Sequence, residues 1–259
     1  MYPLFEEITA NDVKDLVNII IITLHQELNK TKKNIINKNN IILDQRNQQV
    51  MFNNFAQNFV LENQSIISDL FYAINCNIIQ CSECKTKIYN YQTYFFIEFP
   101  LEEIFKFTTK NNEVNIYDCF DYDRKMNLIY DENSVYCNYC KKYCIFKMCT
   151  YLTTGPEILI LLINKGHKIE FNVKFNFIEE LNLYNYIEYK NTGFKYKLIG
   201  VITYIYENKT VGFAAYCKDP ISQAWNKYKD EIVSEVDDIE FQSQVINCSI
   251  PYFLFYQKS

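Results

Sequence analysis

Glycine is scarce in this chain, with five among 259 residues. Its turns must therefore depend on asparagine and aspartate, which tolerate left-handed backbone better than other residues that carry a side chain. Hydrophobic residues make up 49% of the sequence and charged residues 22%. Both fractions are close to those of globular proteins, so the composition excludes a wholly disordered chain. The length suits one large domain or two small ones.

The sequence also lacks long hydrophobic runs and an excess of positive charge. The longest apolar runs, around Ile19–Ile22 and Ile158–Ile163, are far shorter than the roughly 20 residues that span a bilayer. The first residues show neither the basic nor the apolar region of a secretion signal, so we expect an intracellular protein, in the cytoplasm or nucleus, with no membrane contact. A net charge of −5 argues against nucleic acid as a partner and suits a basic protein better.

Hydrophobic spacing predicts helices in the first part of the chain and strands in the rest. Residues 10–29 have one broad apolar face at helical spacing, residues 30–50 form a polar loop, and a second helix runs from Phe52 to about Leu61. This order of elements indicates an α+β fold rather than alternating α/β. The predicted strands are residues 89–99, 158–163, 169–177, 196–206, 213–217 and 252–256.

Two Cys-x-x-Cys pairs stand out, Cys81 with Cys84 and Cys137 with Cys140. A gap of two residues lets both sulfurs of a turn point at one tetrahedral ion, and two such turns complete a closed four-thiolate zinc site. A closed site is structural, because no coordination position stays open for water. Without a secretion signal the cysteines are expected to be reduced thiols, which favours metal binding over disulfides.

Two alternatives to this ligand set stay open. Cysteines can fall into pairs by chance in a chain that has ten of them, and then no metal is bound. Cys144 and Cys149 follow the second pair closely and could take part in the site. The other cysteines are interpreted as ordinary buried or surface thiols: Cys76, Cys119, Cys217 and Cys248.

Six blocks of sequence occur in an order that is typical of one family. They are Asn11–Leu16 with Leu24–Leu28, Ser65–Phe71 with Cys81, Cys84 and Tyr94–Leu101, Tyr136–Cys140 with Lys147 and Pro156–Ile160, Tyr196–Ile202, Ala215–Lys218 with Trp225, Tyr228, Asp230 and Val233, and Phe253–Tyr256. Together they resemble the catalytic domain of the ubiquitin-specific proteases, which are ubiquitin carboxyl-terminal hydrolases. The resemblance covers nearly the whole chain.

The resemblance implies a single domain with the papain-like cysteine-protease fold of this family. Residues 1–75 would form a partial helical thumb, residues 76–152 zinc-ribbon β fingers, and residues 153–259 an antiparallel β palm. The implied cofactor is structural zinc, and the implied partner is ubiquitin or a ubiquitinated protein. Asp12 and Asp15 share a helix face, and the family places carboxylates there against the basic tail of ubiquitin. Otherwise they are helix-start acids on a solvated face.

The family hydrolyses the isopeptide bond after the last glycine of ubiquitin, with a Cys nucleophile, a His base and an Asn or Asp that orients the base. The Gly-Asn-Thr-Cys-type nucleophile box is absent here, and we expect the chain to start after its position. The family's base position is Gly212 and its orienter position is Lys229, while the next acid, Asp230, is retained. All three groups must be in contact for the chemistry, so the sequence predicts an inactive homologue that binds ubiquitin or a partner.

Three other interpretations of the sequence are open. The two histidines, His25 and His167, match no catalytic position of the family, and His25 is expected to be a satisfied residue on a helix. The chain could be an incomplete deubiquitinating protease, although Gly212 and Lys229 would still be wrong. It could also be a zinc-ribbon scaffold that no longer binds ubiquitin.

Overall fold

The structure is a computed structural model that describes residues 13–31, 44–108, 113–128, 135–166, 173–188, 194–207, 210–246 and 251–259. Helices dominate only the first part of the described chain, as the hydrophobic spacing predicts. Three of them come before the first strand, and the others are short. The helices are α1 (Val13–Leu28), α2 (Gln48–Glu62), α3 (Ile66–Phe71), α4 (Leu101–Thr108), α5 (Ile116–Arg124) and α6 (Asp238–Phe241), which continues as a π-helical turn, Gln242–Ile246.

The strands form one large sheet and several smaller ones. In order they are β1 (Ala73–Cys81), β2 (Lys87–Tyr94), β3 (Ile97–Pro100), β4 (Glu113–Asn115), β5 (Asn127–Leu128), β6 (Val135–Cys137), β7 (Lys142–Cys144), β8 (Phe146–Leu152), β9 (Ile158–Asn164), β10 (Lys174–Asn176), β11 (Glu180–Asn182), β12 (Lys195–Glu207), β13 (Thr210–Lys218), β14 (Trp225–Lys229), β15 (Ile232–Val236) and β16 (Pro251–Lys258). The expected α+β class with antiparallel sheets is confirmed, apart from the parallel pairs β3–β9 and β4–β10.

The large sheet has the strand order β15-β14-β13-β12-β16-β9-β3, with β11 beside β12. A second sheet has the strand order β2-β1-β8-β5, and the hairpin β6–β7 carries the second cysteine pair. Strand β16 is therefore an interior strand, although it is the last one along the described chain. It joins β9 to β12 by antiparallel pairing on both sides.

Strand β9 is buried on both of its faces. Leu159, Leu161 and Ile163 belong to the main core, whereas Ile160 and Leu162 belong to a second core on the opposite face of the sheet. The second core includes Ile21 of α1 and Ile67 of α3, so these helices cover that face. This arrangement confirms the prediction that the continuous apolar run around Ile158–Ile163 is a strand buried on both sides.

Helix α1 is fixed to the sheet by apolar contacts and by one ion pair. Val13, Val17 and Ile21 face the second core. Lys14 Nζ lies 2.7 Å from the Glu98 carboxylate in β3, and both side chains are about one-third exposed. At that exposure the pair contributes at most about 1 kcal/mol of stability.

One predicted boundary is wrong at the start of α2. The polar stretch 30–50 was expected to be a loop, but α2 begins at Gln48. Asn47 is its N-cap, and the Asn47 side-chain oxygen accepts a hydrogen bond from the Val50 N–H at 3.1 Å. A polar residue that satisfies a free helix N–H looks like a loop residue in a hydrophobicity pattern. Residues 32–43 lie outside the described residues.

The single strand predicted over residues 89–99 is also wrong. The alternation breaks at Phe95–Phe96, β2 pairs with β1 in one sheet, and β3 pairs with β9 in another. Phe95 and Phe96 pack against the second core, with ring centroids 5.2 Å apart, and Phe95 stacks on Tyr72. Two neighbouring aromatic residues are thus half-buried where the chain crosses between sheets. Of the strand predicted at 169–177 only Lys174–Asn176 is a described strand.

Candidate functional site

Two Cys-x-x-Cys turns face each other beyond the ends of β1 and β6. Cys81 is the last residue of β1, and Cys84 lies in the turn before β2. Cys137 ends β6, and Cys140 lies in the turn before β7. The four sulfur atoms all lie within 4.8 Å of one another. The structure therefore brings together the four cysteines that the sequence spacing pairs.

The two turns have the same backbone geometry. Lys85 and Lys141, each directly after the second cysteine of its pair, have positive φ angles of 60° and 59°. The Lys85 N–H donates to the Cys81 carbonyl at 3.1 Å, and the Lys141 N–H donates to the Cys137 carbonyl at 2.9 Å. Left-handed backbone is unusual for lysine and costs energy without compensation. Finding it twice at matched positions shows that the two turns share one backbone conformation.

Backbone N–H groups point at the first sulfur of each turn. Glu83 and Cys84 donate to the Cys81 sulfur, and Tyr139 and Cys140 donate to the Cys137 sulfur. Such hydrogen bonds favour the thiolate over the thiol. They lower the pKa of Cys137, whereas burial raises the pKa of the fully buried Cys81. A bound cation would oppose the effect of burial on Cys81.

The donor set fits a closed tetrahedral metal site. The Cys84 and Cys137 sulfurs lie 3.8 Å apart, which is the sulfur–sulfur distance of a tetrahedron with metal–sulfur bonds of about 2.3 Å. Hydrogen bonds with the side chain and backbone of Thr86 lower the pKa of Cys84 to about 6. A thiol with that pKa is largely ionised at neutral pH, the state that a metal requires. The four residues are therefore suited to bind a metal ion.

Of the other described cysteines, one lies next to the four clustered sulfurs and the rest lie elsewhere in the fold. Cys144, at the end of β7, is buried beside the ligand set with its sulfur 3.5 Å from that of Cys140. Cys149 pairs with Ile78 inside the second sheet and is not among the four clustered sulfurs. Cys76 and Cys119 are buried, Cys217 is exposed, and Cys248 lies outside the described residues.

The positions that resemble the family's base and orienter lie on neighbouring strands of the large sheet. Gly212 in β13 pairs with Ile205 of β12. The antiparallel register that pairs Ala215 with Tyr228 carries Lys229 to the level of Ala214, on the face of β13 that Gly212 shares. A Cβ atom on Gly212 would have no neighbour within 4 Å. The end of the large sheet around Gly212 and Lys229 thus has room for a larger side chain at position 212.

Strand β14, which carries Lys229, is held in place by the packing of Trp225. Trp225 is buried and stacks on Phe241 with ring centroids 3.8 Å apart and an interplanar angle of 10°. Asp230 lies in the turn after Lys229 with a φ of 50°. The retained acid is therefore in a tight turn rather than on the strand itself.

His25 is a structural contact between α1 and α3. Its Nδ1 lies 2.7 Å from the Ser65 hydroxyl, which caps α3, and its ring lies 4.8 Å from the Tyr72 ring. Desolvation by burial lowers the His25 pKa. These contacts agree with the expected role of a satisfied helix histidine. His167 lies outside the described residues.

Of the two carboxylates expected to contact ubiquitin, only Asp15 is among the described residues. Asp15 is exposed in the first turn of α1. Asp12 lies outside the described residues.

Among the helices of the described ranges, none is both long enough and apolar enough to cross a membrane.

Sequence comparisons identify the relatives of this chain. The family model for ubiquitin carboxyl-terminal hydrolase matches residues 1–256. Ubiquitin carboxyl-terminal hydrolase Usp2 of Drosophila melanogaster is 20% identical over an alignment of 266 positions, which covers 99% of this chain and 26% of the relative. Ubiquitin carboxyl-terminal hydrolase 2 of Bos taurus is 22% identical, over 98% of this chain and 41% of the relative. The chain thus spans less than half the length of these relatives.

Solved structures show the same fold. The SAGA DUB module of Ubp8, Sgf11, Sus1 and Sgf73, with Sgf11 residues 1–72, is similar with a TM-score of 0.66 and 20% identity, over 96% of this chain and 50% of the solved chain. The module bound to monoubiquitin gives a TM-score of 0.60 and 21% identity over 82% of this chain and 47% of the solved chain. Because the family model covers almost every residue, this chain belongs to the ubiquitin carboxyl-terminal hydrolase family.

Proposed function

We propose that this chain binds ubiquitin, or a protein that carries ubiquitin, without cleaving the isopeptide bond. Membership of the family supports the first half of the proposal, together with the fold likeness to a module solved with bound monoubiquitin. The described residues form an eight-stranded sheet and a four-stranded sheet. We further propose the division into thumb (1–75), zinc-ribbon fingers (76–152) and palm (153–259).

The loss of cleavage is proposed from a single observation, the residues Gly212 and Lys229 at the positions that resemble the family's base and orienter. Gly212 has no group that could take a proton from a thiol. Lys229, on the same face of the sheet, is a cation where the family reaction needs a hydrogen-bond acceptor for the imidazole. A thiol without a basic neighbour keeps a pKa near 8.5 and is mostly protonated at neutral pH.

Release of a fluorophore from the C-terminus of ubiquitin tests the loss of activity. We expect no turnover by the wild type, by Gly212→His or by Lys229→Asn, because triad members act as a unit and their losses do not add. A matched control is an active family member assayed in the same buffer. Turnover by the folded wild type, or labelling of any of its cysteines by a Cys-reactive ubiquitin probe, would contradict the proposal.

Asp12 and Asp15 are the proposed contacts for the basic tail of ubiquitin. Charge attraction of this kind weakens as the ionic strength rises. Calorimetric titration at low salt should therefore show binding that Asp12→Ala/Asp15→Ala reduces and that added salt also reduces. Glu27→Ala is the control, because Glu27 is an exposed acid on the same helix α1. An unchanged affinity in the double variant would reject this contact.

The proposed metal is zinc, held by Cys81, Cys84, Cys137 and Cys140 as a structural ion. It would supply no chemistry beyond cross-linking the two turns, since four thiolates leave no open position. No binding of ubiquitin at high micromolar concentration by zinc-loaded protein would leave a zinc-ribbon scaffold as the function. That outcome would reject the ubiquitin proposal and leave the metal site intact.

A further inference from the structure

A fifth thiol lies against the four proposed zinc ligands. The sulfur of Cys144 is 3.5 Å from that of Cys140, and its side chain also contacts Cys81. Cys144 is only 3% exposed and packs with Cys81 and Cys137. It therefore touches one cysteine of each Cys-x-x-Cys turn.

The backbone holds Cys144 at this place. Cys144 ends β7 and pairs with Val135 of β6, while Cys137 at the other end of β6 pairs with Lys142. The same two-stranded hairpin thus carries Cys137 and Cys144, with Cys140 in its turn. Because the pairing fixes the hairpin, the fifth sulfur stays near the ligand set whether or not it binds.

A four-thiolate site has no vacancy for a fifth sulfur. Sulfurs that share one zinc ion lie about 3.8 Å apart, and Cys144 and Cys140 are separated by 3.5 Å. The fifth sulfur therefore lies next to the place of the Cys140 sulfur, just outside the group of four. A change of side-chain rotamer is enough to move a cysteine sulfur without moving its backbone.

We propose that Cys144 is a reserve metal ligand, which takes the place of Cys140 when that thiol is lost and so keeps the ion in a four-thiolate site. The proposal rests on zinc binding by the four cysteines. In the exchange, the bond between the ion and the Cys140 sulfur would break, the Cys144 sulfur would bond in its place, and the Cys144 thiol would give its proton to solvent. The ion keeps the same number of sulfur ligands, and nothing is oxidised or reduced.

Metal content of matched variants tests the proposal. Wild type, Cys144→Ser and Cys140→Ser should each hold about one zinc ion per chain, and Cys140→Ser/Cys144→Ser should lose most of it. Cys137→Ser is the control, because the Cys137 sulfur contacts Cys84, and it should lose zinc although Cys144 is present. A zinc-free Cys140→Ser, or one that is insoluble where the wild type is soluble, would overturn the reserve role.

Cobalt substitution shows which atom fills the fourth position. The sulfur-to-cobalt charge-transfer band grows with the number of bound thiolates, so Cys140→Ser should match the wild type. A band reduced to about three-quarters in Cys140→Ser would mean that water or serine has replaced the lost sulfur, and this would also overturn the proposal. A wild type without bound metal would reject the metal site itself, which separates the two failures.

A third measurement does not depend on whether Cys140→Ser folds. Zinc-loaded wild type and Cys144→Ser are alkylated slowly, and the modified cysteines are mapped by mass spectrometry while zinc release is followed. We expect the wild type to keep its zinc after Cys140 is modified, and Cys144→Ser to release zinc in step with that modification. Equal release from both proteins would refute the reserve ligand.

Discussion

Two glycines of the large-sheet region should respond in opposite ways to the same substitution. A Cβ on Gly155 would overlap the hydroxyl of Tyr196, which is buried and donates a hydrogen bond to the Pro156 carbonyl at 3.0 Å. A Cβ on Gly212 would meet open space. Neither glycine has a positive φ angle. The contrast therefore depends on packing alone.

The geometry sets the size of each effect. Overpacking in a close-packed core costs about 1–3 kcal/mol, and the rigid ring of Tyr196 leaves the hydroxyl little room to move, so Gly155→Ala should destabilise the protein by that amount. Gly212→Ala should change the free energy of unfolding by no more than about 1 kcal/mol, and in the stabilising direction, because alanine restricts the unfolded chain.

A double-mutant cycle isolates the overlap. Tyr196→Phe alone loses the hydrogen bond to Pro156 and should cost about 1–3 kcal/mol. Without the hydroxyl, the nearest neighbours of the new Cβ are the Tyr196 ring carbon Cζ at 3.5 Å, an ordinary contact, and Ile187 Cδ1 at 3.3 Å, a tight contact with the end of a flexible side chain. Gly155→Ala should therefore cost less in the Tyr196→Phe background, with a coupling energy of roughly 1 kcal/mol or more.

The assay is urea unfolding at a fixed zinc concentration, because bound metal shifts the apparent stability. Trp225 is the single tryptophan of the chain and is buried in the large sheet, so its fluorescence reports unfolding. Equal changes in the midpoint for Gly155→Ala and Gly212→Ala, or a coupling energy near zero, would refute the reasoning. A stable Gly212→Ala also makes inactivity of Gly212→His interpretable as chemistry.

Two further predictions concern the cysteine turns and α5. Cys81→Ser should lose zinc and destabilise the region of β1 and β6, since structural zinc contributes directly to folding; elemental analysis and thermal unfolding check this, and zinc-free wild type would refute it. Burial raises the pKa of Asp123 from 3.8 to about 7, because the folded state favours the protonated carboxyl. This contribution to stability is complete below pH 4 and is lost as the pH rises through 7. Asp123→Asn should reduce the fall in unfolding free energy between pH 4 and pH 8, which urea titrations measure, and an unchanged pH profile would refute it.

Local patterns predicted the elements that depend on neighbours in sequence. The apolar face of α1 and the doubly buried strand β9 follow from spacing alone, and the matched Cys-x-x-Cys gaps identified the four clustered cysteines. The break at Phe95–Phe96 could not be predicted, because both residues fit a strand pattern and only the surrounding sheets decide where each one packs. The start of α2 was missed since its cap, Asn47, is polar.

The rest of the candidate site depends on pairing across long sequence distances. Spacing within the chain does not place Gly212 beside Lys229; the family resemblance pointed to both positions, and the register of β13 and β14 sets their common face. The contact of Cys144 with the cysteine cluster was left open by the sequence. A fifth cysteine four residues after Cys140 was the available signal, and the β6–β7 pairing decides it.

The interior place of β16 has a consequence for how the sheet is assembled. Strand β9 is made long before β16, and residues 165–250 separate them along the chain. Before β16 is synthesised, β9 can pair with β3 along one edge, while its other edge, which later pairs with β16, has no partner. Closing such a long loop is slow compared with local folding, and an unpaired apolar edge is prone to intermolecular pairing. During synthesis this chain therefore passes through a period in which that edge of β9 is open to pairing with other chains.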